Sequence, residues 1–102
     1  MAYPQRDPKS NIYYTATAGD NKVVTTGPAF LERIIIPKYV ASGVIEVSDH
    51  ASDGDGNVKL LVTGSATVDN YPQVIEVGAN FDTGLTVDIT NYTNISIVWK
   101  NA

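Results

Sequence analysis

Apolar and polar residues alternate over short stretches of this chain, and clusters of glycine, asparagine, aspartate and serine separate the stretches. Such a two-residue period predicts strands with one buried face. The first run is Ile12–Ala18, rich in β-formers, followed by Gly19-Asp20-Asn21, which reads as a hairpin turn into Lys22–Thr26. A longer stretch, Gly27–Tyr39, opens on Gly-Pro and stops at Pro37. Its first half alternates, with Phe30 and Glu32 on one face and Leu31 and Arg33 on the other. Its second half holds Ile34, Ile35 and Ile36 in succession, which predicts a central strand apolar on both faces. Beyond Ala41-Ser42-Gly43 the pattern resumes, with Val44, Glu46 and Ser48 facing one way and Ile45 and Val47 the other.

Further strands are expected at Val58–Thr63, Gln73–Val77, Leu85–Ile89 and Asn94–Lys100, the last carrying Ile95, Ile97 and Trp99 on one face. No stretch shows a 3.6-residue period. The pattern predicts an all-β chain, an antiparallel β-sandwich of about eight short strands with jelly-roll or immunoglobulin-like connections. Residues 1–11, with Pro4 and Pro8 and few apolar neighbours, read as an extended N-terminal arm ahead of a sandwich domain at 12–102.

Composition narrows the possibilities. A chain of 102 residues makes one domain, and with no cysteine it is held by its core alone. No stretch has the ~20 apolar residues of a membrane helix, and residues 1–8 lack the apolar centre of a signal peptide, so synthesis in the cytoplasm is expected. A net charge of −4 argues against nucleic acid as a partner. Charge is also segregated: residues 1–45 carry five bases and three acids (+2), residues 46–102 two bases and eight acids (−6). That split is either scatter on a wet surface or the dipole of a subunit that meets its neighbours head to tail.

Candidate chemistry is sparse. His50 stands beside Asp49 and near Ser52, but neighbours in one loop do not supply a nucleophile, base and oxyanion hole around one point, so an exposed loop histidine is expected. Asp53-Gly54-Asp55-Gly56-Asn57 has the composition of a calcium loop without its register. With Gly56 at position 6, positions 1 and 12 are Ala51 and Val62; with Asp53 at position 1, they give Val58 and Gly64 at 6 and 12. A metal-free turn explains the composition better, and no cofactor is expected. Tyr39, Tyr71 and Tyr92 lie near turns, where they could form a sugar platform or pack on the core with the hydroxyl wet.

Gly27-Pro-Ala-Phe-Leu-Glu-Arg-Ile-Ile-Ile-Pro37, Ser42-Gly-Val-Ile-Glu-Val-Ser-Asp49, Val77-Gly-Ala-Asn-Phe-Asp-Thr-Gly-Leu-Thr-Val87 and Asn94-Ile-Ser-Ile-Val-Trp99 give the chain its character. Across about residues 22–100 it resembles the small β-sandwich virion proteins of tailed bacteriophages, the decoration (cement) proteins of heads and small tail modules. The resemblance implies a structural protein of the virion, not an enzyme. It would bind the head exterior, bridge copies of the major capsid protein or another virion protein, and form a homo-oligomer such as a trimer. Tyr3, Arg6 and Lys9 of the arm would then make the attachment. The second reading is a tail or fibre module binding carbohydrate or a receptor through Tyr39, Tyr71 and Tyr92.

Overall fold

The computed structural model describes residues 10–38, 40–64 and 72–102. The strands are β1 (Asn11–Thr15), β2 (Gly19–Thr26), β3 (Ala29–Ile36), β4 (Val44–Ser48), β5 (Val58–Thr63), β6 (Gln73–Phe81), β7 (Gly84–Thr90) and β8 (Ile95–Asn101). They form two four-stranded sheets, β1-β8-β3-β6 and β2-β7-β4-β5, with every pairing antiparallel. The chain is an eight-stranded β-sandwich.

The pairs β1·β8, β2·β7, β3·β6 and β4·β5 are nested. The chain is thus one long hairpin, its tip between β4 and β5, rolled so that alternate pairs fall in opposite sheets. That is jelly-roll connectivity, and it decides between the two topologies the pattern left open. It also removes the expected first hairpin, because β1 and β2 lie in different sheets. Gly19-Asp20-Asn21 belongs to β2 instead, where Asn21 (φ 55°) marks a register irregularity against β7.

Side chains from the two inner faces interdigitate. Leu31, Ile34 and Ile36 of β3 and Ile95 and Ile97 of β8 meet Ile45 and Val47 of β4 and Leu85, Val87 and Ile89 of β7, all essentially inaccessible to water. Each such side chain contributes roughly 1.5–3 kcal/mol on burial. Trp99 is half-buried against the same core, on the face expected for it.

β3 is central, flanked by β8 and β6, but its outer face is not dry. Relative to β8, β3 carries one extra residue between Leu31 and Arg33. One extra residue reverses which positions point inward. Ala29 and Leu31 point into the core before the bulge, and Ile34 and Ile36 after it. Glu32 and Arg33 therefore share the outer face, contrary to strict alternation, and Ile35 is only half-buried there.

Candidate interaction face

The outer face of the β1-β8-β3-β6 sheet departs from what a solvated sheet presents. Register places Tyr14, Ser96, Ile35 and Val74 side by side in one row across all four strands. The adjacent row is Ile12, Val98, Arg33 and Glu76. Ile12 is 69% exposed, Tyr14 57% and Val74 54%, while Val98 is shielded between its neighbours. These side chains are outward because their inward neighbours Tyr13, Ile75 and Ile97 fill the core, and period two leaves no other place for them.

Charge on this face is internally balanced. Arg33 Nε donates to Glu76 Oε1 at 3.1 Å and its guanidinium also lies 3.8 Å from Glu32. Lys100 Nζ sits 3.8 Å from Glu32, which also accepts from the Ser10 hydroxyl at 2.5 Å. Two bases thus meet two acids beside an apolar row, on a chain whose net charge is −4. The Tyr14 hydroxyl donates to Asn94 Oδ1 at 2.5 Å, which pins an exposed ring in one orientation.

The opposite sheet is covered over β4 and β7, while Leu61 of its edge strand β5 stays 56% exposed. Residues 49–57 do not project as a free hairpin tip but fold back over the outer face of β4 and β7. The Ser48 hydroxyl donates to the Gly54 carbonyl at 2.5 Å, the Thr86 hydroxyl to the His50 carbonyl at 2.7 Å, and the Gly54 N–H to Asn21 Oδ1 at 2.9 Å. Gly54 lies so close to Asp88 that a Cβ there would sit 1.9 Å from its carboxylate, so this contact requires glycine.

Asp49 anchors the loop. Its carboxylate accepts from the backbone N–H groups of Asp82 (3.0 Å), Thr83 (2.7 Å) and Gly84 (3.3 Å), and Lys59 Nζ lies 3.4 Å away. Desolvation pushes this carboxyl toward protonation, but the three donors and Lys59 outweigh it and hold its pKa below the usual value of 3.8. Lys59 also lies over the Phe81 ring, 5.7 Å from its centroid. In the sequence Asp49 is marked only as a neighbour of His50 and by its place directly after a strand and before a turn-rich loop.

His50 is half-buried and not simply exposed: its Nδ1 accepts from the N–H groups of Ser52 (3.1 Å) and Asp53 (2.9 Å), so it shapes the turn. It faces the backbone of Ser52, which is not triad geometry. Tyr92 is 1% exposed, packed so tightly on Gly43 that a Cβ there would meet its ring at 2.5 Å. Its hydroxyl is buried with the ring, against the expectation of a wet one, and a ring so enclosed cannot stack on a sugar. The recess it lines with Pro37, Lys38, Val40, Thr93 and Asn94 holds about 130 Å³, below the ~300 Å³ of small ligand sites. Tyr39 and Tyr71, and the arm residues Tyr3, Arg6 and Lys9, lie outside the described residues. Of the expected arm, Ser10 and Asn11 are described, and Asn11 already belongs to β1, opposite Trp99.

At the calcium-like loop, the Asp55 N–H donates to Asp53 Oδ1 at 3.1 Å in a local turn. A hydrogen bond between the two side chains holds the Asp53 carboxyl below its usual range and pushes that of Asp55 up. Among the described residues no group of three or more acidic, histidine or cysteine side chains is arranged to hold a metal. Millimolar calcium is expected to leave the melting temperature unchanged, since only a ligand that favours the native state raises it. A rise of several degrees, abolished by Asp55→Ala, would show the opposite.

Comparison with protein-family models, with curated proteins and with solved structures found no match to this chain.

Proposed function

We propose that this protein is a structural protein of a bacteriophage virion, a decoration (cement) protein that binds the head exterior and ties neighbouring coat subunits together as a homo-oligomer. The observation that carries this reading is the outer face of the β1-β8-β3-β6 sheet, where Ile12, Tyr14 and Val74 are each more than half exposed around Ile35 and Val98. A charge-balanced face with exposed apolar side chains on both of its edge strands suits contact with protein. Support also comes from the sequence resemblance to phage β-sandwich virion proteins and from the jelly roll, an architecture that viral capsid proteins use along with lectins. Architecture alone does not assign function.

The mechanism is mechanical. Four strands at ~4.8 Å spacing and five residues at ~3.3 Å make a face of a few hundred Å², smaller than the ~800 Å² per partner of a standard interface. Each contact is weak, and many copies on one particle multiply it. The arm, with Tyr3, Arg6 and Lys9 ahead of a domain rich in acids, adds a second point of attachment to the major capsid or another virion protein. No nucleic acid or membrane takes part in this reading.

The test is co-sedimentation with phage heads lacking the protein. Full occupancy is expected for the full chain, with a large loss both for Val74→Lys and for the triple variant Tyr3→Ala, Arg6→Ala, Lys9→Ala. Binding that survives Val74→Lys would remove the sheet face from the contact; failure of the unaltered chain to bind any virion component would sink the virion reading.

A further inference from the structure

Among the described residues four strands end the two sheets, and three of them carry devices that discourage pairing with another chain. β2 has two register irregularities together with Asp20 and Lys22; β5 carries Lys59; β6 carries Glu76 and a bulge at Gly78, where φ is +65°. β1 has none of them. Asn11-Ile12-Tyr13-Tyr14-Thr15 contains no charge, proline or glycine, and it pairs with β8 in unbroken register over all five residues. On the outer face it exposes two large side chains, Ile12 and Tyr14.

We propose that β1 is a homodimer interface, in which two copies of the chain pair β1 to β1 antiparallel across a two-fold axis at Tyr13. The occupant is a second copy because the strand complements itself. Antiparallel pairing centred on Tyr13 sets Ile12 opposite the second copy's Tyr14, and Tyr14 opposite its Ile12. Aromatic against β-branched is among the favourable cross-strand pairs. Asn11 and Thr15 face one another likewise, so no like charges oppose, which matters for subunits of net charge −4. The Tyr14 ring is already fixed by Asn94, so less side-chain freedom is lost on contact.

The dimer joins two four-stranded sheets into one of eight strands. The row Val74, Ile35, Ser96, Tyr14 then runs on into Ile12 and Val98 of the second copy, lengthening the apolar face. The symmetry is two-fold, not the three-fold of a trimer, and the inference stands on the strand's own chemistry whether or not the protein belongs to a virion.

One strand pair buries less than the ~1,200 Å² of a standard interface, so a weak dimer populated only at high protein concentration is expected. Sedimentation equilibrium of the full chain should show a monomer–dimer equilibrium and no larger species. Ile12→Lys places a charge on the edge and should weaken it at least about tenfold, with an unchanged melting temperature in dilute solution, where the chain is monomeric, because Ile12 is exposed. The chain has no cysteine, so register can be read directly. Opposed residues lie ~4.5–5.5 Å apart between Cα atoms, within disulfide range, whereas diagonal neighbours lie at ~7–8 Å. An oxidised mixture of Ile12→Cys and Tyr14→Cys should therefore cross-link as a heterodimer, and neither variant alone should. A monomer throughout, a trimer, a dimer indifferent to Ile12→Lys, or cross-linking of either single variant would each overturn the proposal.

Discussion

Ile34→Asp is expected to abolish cooperative folding at neutral pH, while its neighbour Ile35→Asp folds. The two positions differ by one residue and by the face they occupy. Ile34 is fully buried between β8 and β6, paired with Ile97 on one side and Ile75 on the other. Truncating such a side chain costs ~2–5 kcal/mol, and enclosing an unpaired carboxylate costs several more. Together these consume the ~5–15 kcal/mol margin of a small domain. Ile35 stands in the outer row beside Ser96 and Val74 and is only half-buried, so a carboxylate there keeps contact with water. Its substitution should cost roughly 1 kcal/mol and lower the melting temperature by only several degrees. Circular dichroism melts of both variants decide the matter. Loss of folding in both would mean the outer face is enclosed by something, and folding of both would misplace the core.

That contrast also shows what the sequence could and could not convey. Strand existence was legible from period two: Val44–Ser48, Val58–Thr63 and the Ile95, Ile97, Trp99 face lie where alternation puts them. The parity of β3 was not legible, because its bulge is a relation to β8 and exists only once the two strands are paired. Three successive isoleucines looked the same on either parity, and the reading of two dry faces followed from assuming an even strand. The partner of β1 was hidden for a related reason. Gly19-Asp20-Asn21 has hairpin chemistry, but nested pairing sends β1 to β8, about eighty residues away, and turn residues carry no information about that distance. The candidate face is half visible in the sequence: alternation over Gln73–Val77 puts Val74 and Glu76 on one side of their strand, but only the order of strands sets them beside Ile35, Ser96 and Tyr14. Asp49 was legible only as one aspartate among several, since its role depends on the turn at Asp82–Gly84 coming within reach.

Asp49→Ala is expected to lower the melting temperature by about 10–20 °C. The carboxylate satisfies three backbone donors in the turn between β6 and β7, and its own backbone N–H donates to the Asn57 carbonyl at 2.9 Å across the base of the folded loop. It therefore ties the β4–β5 connection to the end of the other sheet. Removing it strands those donors in a part-buried place, at ~1–3 kcal/mol for each group left without a partner; water reaches some of them, so a total of about 2–4 kcal/mol is expected. The Lys59 contact adds little, since that side chain is 41% exposed. For a domain of about 100 residues 1 kcal/mol corresponds to ~4–8 °C, so the total corresponds to about 8–32 °C, a range that contains the stated drop. The pH dependence has a definite sign. Because the folded carboxyl titrates below 3.8, the unfolded chain binds more protons in the interval between the two values, and stability rises with pH there. The contribution is complete above that unfolded value and is lost as pH falls through the lower, folded one. Asp49→Asn keeps the shape without the charge, so its melting temperature should fall less steeply than wild type across that acidic interval; Asp53 and Asp55 titrate in both proteins and cancel in the difference. Parallel acid profiles for wild type and Asp49→Asn, or a drop of under about 3 °C for Asp49→Ala, would show that the loop is held by its other hydrogen bonds and that the carboxylate is incidental.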